Sequence, residues 1–167
     1  MLTNVFNRLA RTCFYTIQKA TEGRVPVGDV SPSVLADAER ALLNYERSMH
    51  RKFFPQAFGG AEKYIRGVSK TWNRETQNVD FEGNPSALDQ LLIDTFHALR
   101  VAAIMMHPFV PAGCEKIREQ LALGEEFWSW EHVFEPVYFF MDDPHTHQPK
   151  LLEPRQDFFE RHPSQYK

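Results

Sequence analysis

Hydrophobic positions recur at steps of three and four along most of this chain, which is the period of amphipathic helices. Residues 2–21 have one apolar face, formed by Leu2, Val5, Phe6, Leu9, Cys13, Ile17 and Ala20. The opposite face is polar and basic, formed by Asn4, Arg8, Arg11, Tyr15 and Lys19. The pattern predicts a first helix over these residues. It starts without a capping residue, so we expect the chain to be a fragment of a longer protein.

Two more helices are predicted in the first half of the chain. One starts at Pro32, after the capping residue Ser31, and runs to about Lys52. Its inward positions are Val34, Leu35, Ala38, Leu42, Tyr45 and Met49. The next helix runs from about Gln56 into the middle 70s. Its apolar stripe is Phe58, Ala61, Ile65, Val68 and Trp72, and its basic face is Lys63, Arg66, Lys70 and Arg74.

A fourth and a fifth helix are predicted beyond Asn84, which is placed to cap the fourth before Pro85. The fourth is the most apolar in the chain and the expected core element, with inward positions Leu88, Leu91, Leu92, Phe96, Leu99, Ala103 and Met106. The turn His107–Pro111 ends it, because a residue before proline avoids helical geometry. The short fifth helix, about Ala112 to Ala122, turns Cys114, Ile117 and Leu121 inward.

The chain after Gly124 is rich in aromatic residues and proline, as in "VYFF" and "DDPHTHQPKLLEP". We expect an extended tail here, with a short strand over Val137–Phe140, that packs on the helices and does not fold alone. The predicted fold is therefore all-α. It has a bundle of about five helices over residues 1–123 and an aromatic, proline-rich tail over residues 124–167 that packs on this bundle.

Composition limits the possible partners. With 167 residues, of which 43% are apolar, the chain is long enough for one hydrophobic core and requires no second domain. The net charge is -3, but residues 1–80 hold 12 Lys+Arg against 8 Asp+Glu, and residues 81–167 hold 7 against 14. A bound anion is therefore expected in the first half. Cys13 and Cys114 support neither a disulfide framework nor a thiolate zinc site, and they fit a reducing, cytoplasmic setting. No secretory signal or membrane-spanning run is visible.

The sequence has no recognisable catalytic signature or metal site. Gly59 and Gly60 form a lone pair, which we interpret as a close packing point and not as a nucleotide site. The stretch "DDPHTH" (Asp142 to His147) lies in a proline-rich segment that fixes no chelating geometry, so we interpret it as a polar turn. Cys13 and Cys114 both fall on apolar faces, which indicates buried, inert thiols.

The polar face of the first helix is the strongest candidate for binding. It combines the guanidinium donors of Arg8 and Arg11, the amide of Asn4 and the ring of Tyr15. Unpaired RNA bases are recognised by such groups, through stacking and through hydrogen bonds to the base edges. The alternative is an ordinary solvated face, because every amphipathic helix needs one. The basic face of the third helix adds little, since the two faces need not lie together.

Three segments of the chain resemble the C-terminal anticodon-binding domain of class I aminoacyl-tRNA synthetases, most closely that of methionyl-tRNA synthetases. The first, "NVFNRLAR" (Asn4 to Arg11), is similar to the family's Asn-Leu-Val-Asn-Arg helix opening. The second, "FHALRVAAIMMHPFVPAGCEKIREQL" (Phe96 to Leu121), is similar to its Ala-Leu-Arg helix, His-Pro-Phe turn and Glu-Lys-Ile helix. The third, "LLEPRQDFF" (Leu151 to Phe159), is a looser match to its Leu-Phe-Pro-Arg-Ile tail.

The resemblance implies a helical bundle that receives the anticodon loop of tRNA, while methionine is activated in a separate catalytic domain of the same parent chain. The His-Ile-Gly-His-like and Lys-Met-Ser-Lys-Ser-like signatures of that domain are absent here. The resemblance therefore implies no ligase activity and no cofactor for this chain alone, because ATP and methionine would bind the catalytic domain. Asn4 and Arg8 match the family's asparagine and arginine that contact the first anticodon base. Arg11 is expected to contact the RNA backbone.

The family also has a tryptophan that stacks on an anticodon base, at the end of a Tyr-Ile-Asp-Glu-Thr-Ala-Pro-Trp motif. One alignment, through Glu75 and Thr76, puts Trp72 at the motif's tyrosine and Val79 at the stacking tryptophan. An offset alignment makes Trp72 itself the stacking residue. The apolar stripe favours the core for Trp72. Valine has no ring for stacking, a contact worth roughly 1–3 kcal/mol per base.

Two other functions remain open on the sequence alone. The second segment also fits the corresponding domain of other class I synthetases, such as the valyl, leucyl and cysteinyl enzymes. The acidic, aromatic second half of the chain would also suit a helical scaffold that docks on another protein and binds no RNA. A membrane partner is not expected.

Overall fold

Five α-helices follow the predicted hydrophobic stripes. In the computed structural model, which describes residues 2–78, 83–154 and 156–160, they are α1 (Asn7–Ala20), α2 (Pro32–His50), α3 (Phe54–Asn78), α4 (Pro85–Met106) and α5 (Pro111–Gln120). A π-helical turn (Leu2–Phe6) precedes α1, and two 3-10 turns (Glu125–Trp128 and Val137–Phe140) follow α5. These described ranges contain no β-strand. The prediction of an all-α bundle is confirmed.

Two helix starts show how the local sequence is used. The Asn84 side-chain oxygen accepts a hydrogen bond from the Ala87 amide at 3.3 Å, which is the predicted cap of α4. Ser31 stands before Pro32 at the start of α2, but it makes no side-chain cap hydrogen bond. Its hydroxyl donates instead to Asp94 at 2.7 Å. The Ser31 side chain therefore ties α2 to α4 and does not cap its own first turn.

α4 is the centre of the bundle. Fifteen of its 22 residues are buried, because apolar side chains surround this helix on nearly all sides. α1 packs on it through Phe14 and Phe96, whose rings meet edge to face with their centroids 5.4 Å apart. α2, α3 and α5 also pack on α4, and α2 and α3 pack on each other.

Most of the predicted inward positions are buried. Trp72 is 4% exposed and belongs to the core, so the prediction from the α3 stripe is confirmed. Ala20, predicted to point inward, is exposed at the last residue of α1. Phe14, which the pattern leaves out, is fully buried. A phenylalanine at the edge of the stripe has the reach to enter the core, whereas a terminal alanine does not.

Residues after Gly124 contribute to the same core. Their buried side chains are Leu152, Met141, Phe127, Phe158, Phe159, Val133 and Val137. The predicted strand over Val137–Phe140 is wrong, because these residues form a 3-10 turn in which the Phe139 amide donates to the Pro136 carbonyl at 3.0 Å. The described ranges offer this segment no strand to pair with, so its backbone forms hydrogen bonds within the turn.

Gly59 and Gly60 are not the close packing point that the sequence suggested. Both are exposed, and a Cβ atom added to either would meet no heavy atom within 4 Å. The tight glycine of this fold is Gly113 in α5, where a Cβ would clash with the Phe159 ring and lie 2.9 Å from the Phe158 carbonyl oxygen. The absence of a side chain at Gly113 thus lets the tail pack on α5.

None of the helices in the described ranges combines the length and the apolar character that crossing a bilayer requires.

Candidate nucleic-acid interface

The π-helical turn and α1 present Asn4 and Arg8 to solvent. Both side chains are exposed, and their four-residue spacing places them on one side of the helix. The Asn4 side-chain oxygen accepts a long hydrogen bond from the Thr3 hydroxyl at 3.4 Å. Arg8 has no hydrogen-bond or ion-pair partner for its side chain among the described residues. Its five N–H donors therefore face solvent and are open to an incoming acceptor.

Arg11, by contrast, is already engaged by the tail. Its Nη1 atom donates to the Asp157 carboxylate at 3.1 Å, and its guanidinium lies 5.9 Å from the centroid of the Tyr15 ring. The side chains of Arg11 and Asp157 are 29% and 45% exposed, so water screens the pair and keeps it weak. A phosphate could compete with Asp157 for this guanidinium.

Asn7 anchors the tail to the polar face of α1, and the sequence pattern did not single it out. Its Nδ2 atom donates to Asp157 at 2.6 Å, and its Oδ1 atom accepts from the Phe158 amide at 2.8 Å. The residue is 5% exposed, so both ends of a buried amide are satisfied. The signal that could have found Asn7 is its spacing of three and four residues from Asn4 and Arg11.

Tyr15 lies at the other end of the same face. Its hydroxyl donates to the Glu153 carbonyl at 3.3 Å, so the tail contacts the face at Glu153 as well as at Asp157. Between these contacts lies a shallow groove of about 450 Å³, which we call the helix-one groove. It is lined by Thr3, Asn4, Asn7, Arg8, Arg11, Thr12 and Tyr15.

The second basic face exists as predicted but is partly neutralised. Lys63, Arg66, Lys70 and Arg74 are all exposed along α3. Arg66 pairs with Glu62 at 2.7 Å, and Arg74 pairs with Glu75 at 2.8 Å. Only the two lysines lack an ion-pair partner among the residues that the structure describes. No residue of this face lines the helix-one groove.

Trp72 does not line the helix-one groove either. It is 4% exposed and packs in the core, as the α3 stripe predicts, and its place among the anticodon-binding residues stays a prediction. Val79, which the alternative alignment puts at the stacking position, lies outside the described residues.

The segment Phe96–Leu121, which carries the strongest motifs, has a structural role. Arg100 is fully buried on α4. Its guanidinium lies 3.9 Å from the centroid of the Phe140 ring. It donates to four backbone carbonyls, those of Phe127, Ser129, His132 and Val133. Burial lowers the pKa of Arg100 to about 10, so the side chain remains charged at neutral pH. One arginine thus holds the loop after α5 on α4.

The turn between α4 and α5 is closed by a hydrogen-bonded cluster. The Glu115 carboxylate accepts from His107 Nε2 at 3.1 Å and from Arg118 Nε at 2.8 Å. Burial alone would raise the pKa of Glu115, but the hydrogen bonds from Arg118 and His107 outweigh it and hold that pKa below its usual value. The polar residues of this motif therefore stabilise the turn.

The two cysteines are buried, and the segment "DDPHTH" (Asp142 to His147) is tied down by hydrogen bonds. Cys13 and Cys114 are buried, as predicted, and burial raises the pKa of both thiols, that of Cys114 to about 12. Both therefore stay protonated at neutral pH. In "DDPHTH", the Asp143 carboxylate accepts from the Thr146 hydroxyl at 2.8 Å, and His147 Nε2 donates to the Leu121 carbonyl at 2.7 Å. Within the described ranges, no three metal-ligating side chains meet.

Comparison with known proteins finds similarity to methionine–tRNA ligases, as the motifs do. No family model matches the sequence. The methionine–tRNA ligase of Oceanobacillus iheyensis is 29% identical over 138 residues, which make up 75% of this chain and 20% of that protein. The methionine–tRNA ligase of Brucella suis is 27% identical over 133 residues, 73% of this chain and 24% of that protein. The chain thus spans between a fifth and a quarter of the length of these curated relatives.

Solved structures share the fold. Mycobacterium tuberculosis methionyl-tRNA synthetase bound by methionyl-adenylate superposes with a TM-score of 0.72 at 20% identity, covering 95% of this chain and 31% of that one. The apo form of the same enzyme gives a TM-score of 0.61 at 22% identity, covering 96% and 32%. The resemblance to methionyl-tRNA synthetases that the three sequence segments predict is confirmed.

Proposed function

We propose that this chain is a tRNA-binding module of a methionine–tRNA ligase, and that the helix-one groove receives the anticodon loop. The observation that carries the proposal is the pair Asn4 and Arg8, exposed one turn apart in that groove, with no side-chain partner for Arg8 among the described residues. The similarity of three quarters of the chain to methionine–tRNA ligases supports the assignment.

Each polar group of the groove has a role that its chemistry suits. The Asn4 amide, with donors and an acceptor in one plane, pairs with a base edge. The Arg8 guanidinium pairs with a base edge or a phosphate. Arg11 binds a backbone phosphate in exchange for the Asp157 carboxylate, so the charge of its partner is conserved.

The remainder of the ligase supplies the chemistry in this proposal. The chain covers about a fifth of the first relative, and ATP and methionine bind the catalytic domain that lies outside it. That catalytic domain is a partner of this module. The free thiols of Cys13 and Cys114 fit the reducing cytoplasm in which such a module works. The reported relatives favour methionine over the valyl, leucyl and cysteinyl enzymes.

The experiment is a titration of the chain with anticodon stem-loops that differ only in the loop sequence, at low and at moderate salt. We expect tighter binding to the CAU loop. Arg8→Ala and Asn4→Ala should each weaken it, with a loss of about 1–3 kcal/mol for a base contact. Arg47→Ala, which removes another exposed arginine on α2, is the matched control and should leave the affinity unchanged.

The salt dependence separates the two roles of Arg8. If Arg8 binds phosphate, its removal lowers the affinity for every loop alike and reduces the salt slope by about 1. If it reads a base edge, only the preferred loop loses affinity. Equal binding of all loops by the unaltered chain, or equal loss in Arg47→Ala, contradicts anticodon recognition by this groove.

A protein-docking scaffold is the second candidate function. Three aromatic side chains of the segment after α5 are exposed: Trp130 at 43%, Phe134 at 45% and Phe139 at 49%. Aromatic residues are enriched at protein interfaces and are often their main anchors. If no stem-loop binds even at low salt, while Phe134→Ser and Phe139→Ser release the chain from a catalytic domain, docking is the function that remains.

A further inference from the structure

At one end of the helix-one groove, a guanidinium lies over an aromatic ring. The Arg11 guanidinium carbon is 5.9 Å from the centroid of the Tyr15 ring, and both residues line the groove. They are neighbours on one side of α1, because they are one helical turn apart. We infer that the two form a clamp, the Arg11–Tyr15 clamp, which holds one unpaired base of the RNA loop between guanidinium and ring. This clamp rests on the proposed function of the groove and gives Tyr15 a role in it.

The spacing of the clamp is close to what a base needs. Stacked planes lie about 3.4 Å apart, which is the rise per base along a strand, so a base between two partners needs about 7 Å. The present 5.9 Å is about 1 Å short of this separation. Arg11 can move that far, because its ion pair with Asp157 is exposed and weak and its stem is flexible.

The Tyr15 ring is a prepared surface for stacking. Its hydroxyl donates to the Glu153 carbonyl at 3.3 Å and its ring packs partly on the core, so the orientation of the ring is fixed. No other aromatic ring of the described residues stacks on it. Tyr15 is also the aromatic residue among those that line the groove. Stacking on such a ring accepts any base, since every base has a π-face.

Arg11 can hold a base and a phosphate at the same time. A guanidinium is planar, so its N–H edge donates to a phosphate while its face stacks on a ring. The exchange of Asp157 for a phosphate uses the edge and leaves the face for the base. Tyr15 lies about 10 Å beyond Arg8 along the helix. The clamped base is therefore a different one from the base that Asn4 and Arg8 contact.

The stack is tested by removing the ring. Tyr15→Leu keeps an apolar side chain without a ring and should weaken the binding of an anticodon stem-loop about 5- to 100-fold. The loss should be the same at low and at moderate salt, because the ring carries no charge. Tyr15→Phe loses only the hydrogen bond to Glu153 and should bind within about two- to threefold of the unaltered chain. Tyr138→Leu, at a half-buried tyrosine outside the groove, is the matched control and should leave the affinity unchanged.

A set of stem-loops, each lacking the base at one loop position, identifies the clamped base. We expect one position where removal of the base weakens binding to the unaltered chain about 5- to 100-fold but to Tyr15→Leu less than about twofold. The cost is small in the variant because the ring that stacks on this base is already gone. At the other positions both proteins should lose affinity alike. A tyrosine that only packs the tail on α1 produces no such coupling.

The other half of the clamp is tested with Arg11→Lys. This variant keeps the charge for a phosphate but loses the plane that stacks. We expect an affinity about two- to fivefold lower, an unchanged salt dependence and a smaller cost of base removal at the clamped position. Arg47→Lys, at an exposed arginine of α2, is its control.

The clamp and the proposed function fail in different ways. If Arg8→Ala loses affinity and Tyr15→Leu does not, the groove binds RNA without the clamp. The clamp is also wrong if Tyr15→Phe loses as much affinity as Tyr15→Leu, or if no loop position is coupled to Tyr15. If no stem-loop binds even at low salt, the proposed function fails and the clamp with it. Circular dichroism checks that each variant is folded, and Arg11→Lys replaces Tyr15→Leu in the coupling measurement if that variant does not fold.

Discussion

The carboxylate of Asp157 lies 3.1 Å from the guanidinium of Arg11, although the two residues are at opposite ends of the chain. The tail thereby places a negative charge on the rim of the helix-one groove and occupies one of its two arginines. The same carboxylate also accepts from Asn7 at 2.6 Å, so the contact positions the tail as well as neutralising the cation.

Removing this charge should strengthen RNA binding. Asp157→Asn keeps an acceptor for Asn7 but frees Arg11 for phosphate, so we expect an increase of about two- to fivefold in affinity for an anticodon stem-loop. Added salt should reduce the gain, because it screens exposed charges. Asp37→Asn, which breaks a similar surface pair on α2, serves as the control. Unchanged or weaker binding by Asp157→Asn contradicts the proposed exchange.

A methyl group at Gly113 should detach the tail. A Cβ there meets the Phe159 ring and the Phe158 backbone, so Gly113→Ala should lower the free energy of unfolding by about 1–3 kcal/mol despite the higher helix propensity of alanine. Limited proteolysis should then cut the tail sooner. Gly124→Ala, where an added Cβ meets nothing within 4 Å, is the matched control. If Gly113→Ala and Gly124→Ala are equally stable, the absence of a side chain at Gly113 is not what lets the tail pack on α5.

Removing the buried guanidinium of Arg100 should lower the free energy of unfolding strongly. Arg100→Met leaves four carbonyl oxygens without their donor, and we expect the free energy of unfolding in urea to fall by about 3–5 kcal/mol. The stability of Arg100→Lys should lie between those of the unaltered chain and Arg100→Met, since an ammonium group cannot reproduce the planar fork of arginine. Arg47→Met, at an exposed site, should change stability by about 0.5 kcal/mol or less. A similar small change in Arg100→Met would show that water replaces the guanidinium.

His97 should make stability depend on pH in the mildly acidic range. Burial lowers the pKa of His97 to about 4, so the folded chain keeps this side chain neutral while the unfolded chain takes up a proton below about pH 6.5. The contribution of neutral His97 to the free energy of unfolding is therefore complete above about pH 6.5. It is lost as the pH falls towards about 4, by about 3 kcal/mol in total.

Urea unfolding at a series of pH values between about 7 and 5 measures this loss. His97→Gln, which retains a donor for the Glu135 carbonyl, should flatten the dependence. His50→Gln, at an exposed histidine of α2, should leave it unchanged. An identical slope in the His97→Gln variant would assign the pH dependence to other groups.

Trp72→Phe distinguishes the two uses of this tryptophan. A core residue that is shortened leaves a cavity, so we expect a loss of about 1–3 kcal/mol in the free energy of unfolding and no change in stem-loop affinity. A stacking tryptophan would show the reverse, with affinity affected and stability maintained. Trp130→Phe, at a tryptophan that is 43% exposed, controls for the general effect of the substitution.

The helices were predictable because their determinants are local. The period of three and four, the Asn84 cap and the prolines at helix starts lie within a few residues of the structure that they produce. The segment after α5 was harder. Its four residues "VYFF" have strand propensity, yet a strand needs a partner, and the sequence does not show that the described ranges contain no other strand.

The candidate site was predictable only in part. Asn4 and Arg8 are exposed as their place on the polar face indicates. Asn7 and the tail at Asp157 were missed because their contact joins residues 150 positions apart. A cavity of about 720 Å³ where α2, α3 and α4 meet was missed for the same reason, since no single stripe reveals it.

By itself, then, the sequence determined the five helices, the central place of α4, the inward direction of Trp72 and the residues that resemble methionyl-tRNA synthetases. Hydrophobic burial favours one face of each helix, and that preference is written in nearby residues. Only the tertiary structure shows that the Arg8 side chain has no partner among the described residues while Arg11 pairs with Asp157, and that the Arg100 guanidinium donates to backbone carbonyls. Which polar group is available to a partner depends on neighbours brought together from distant parts of the chain.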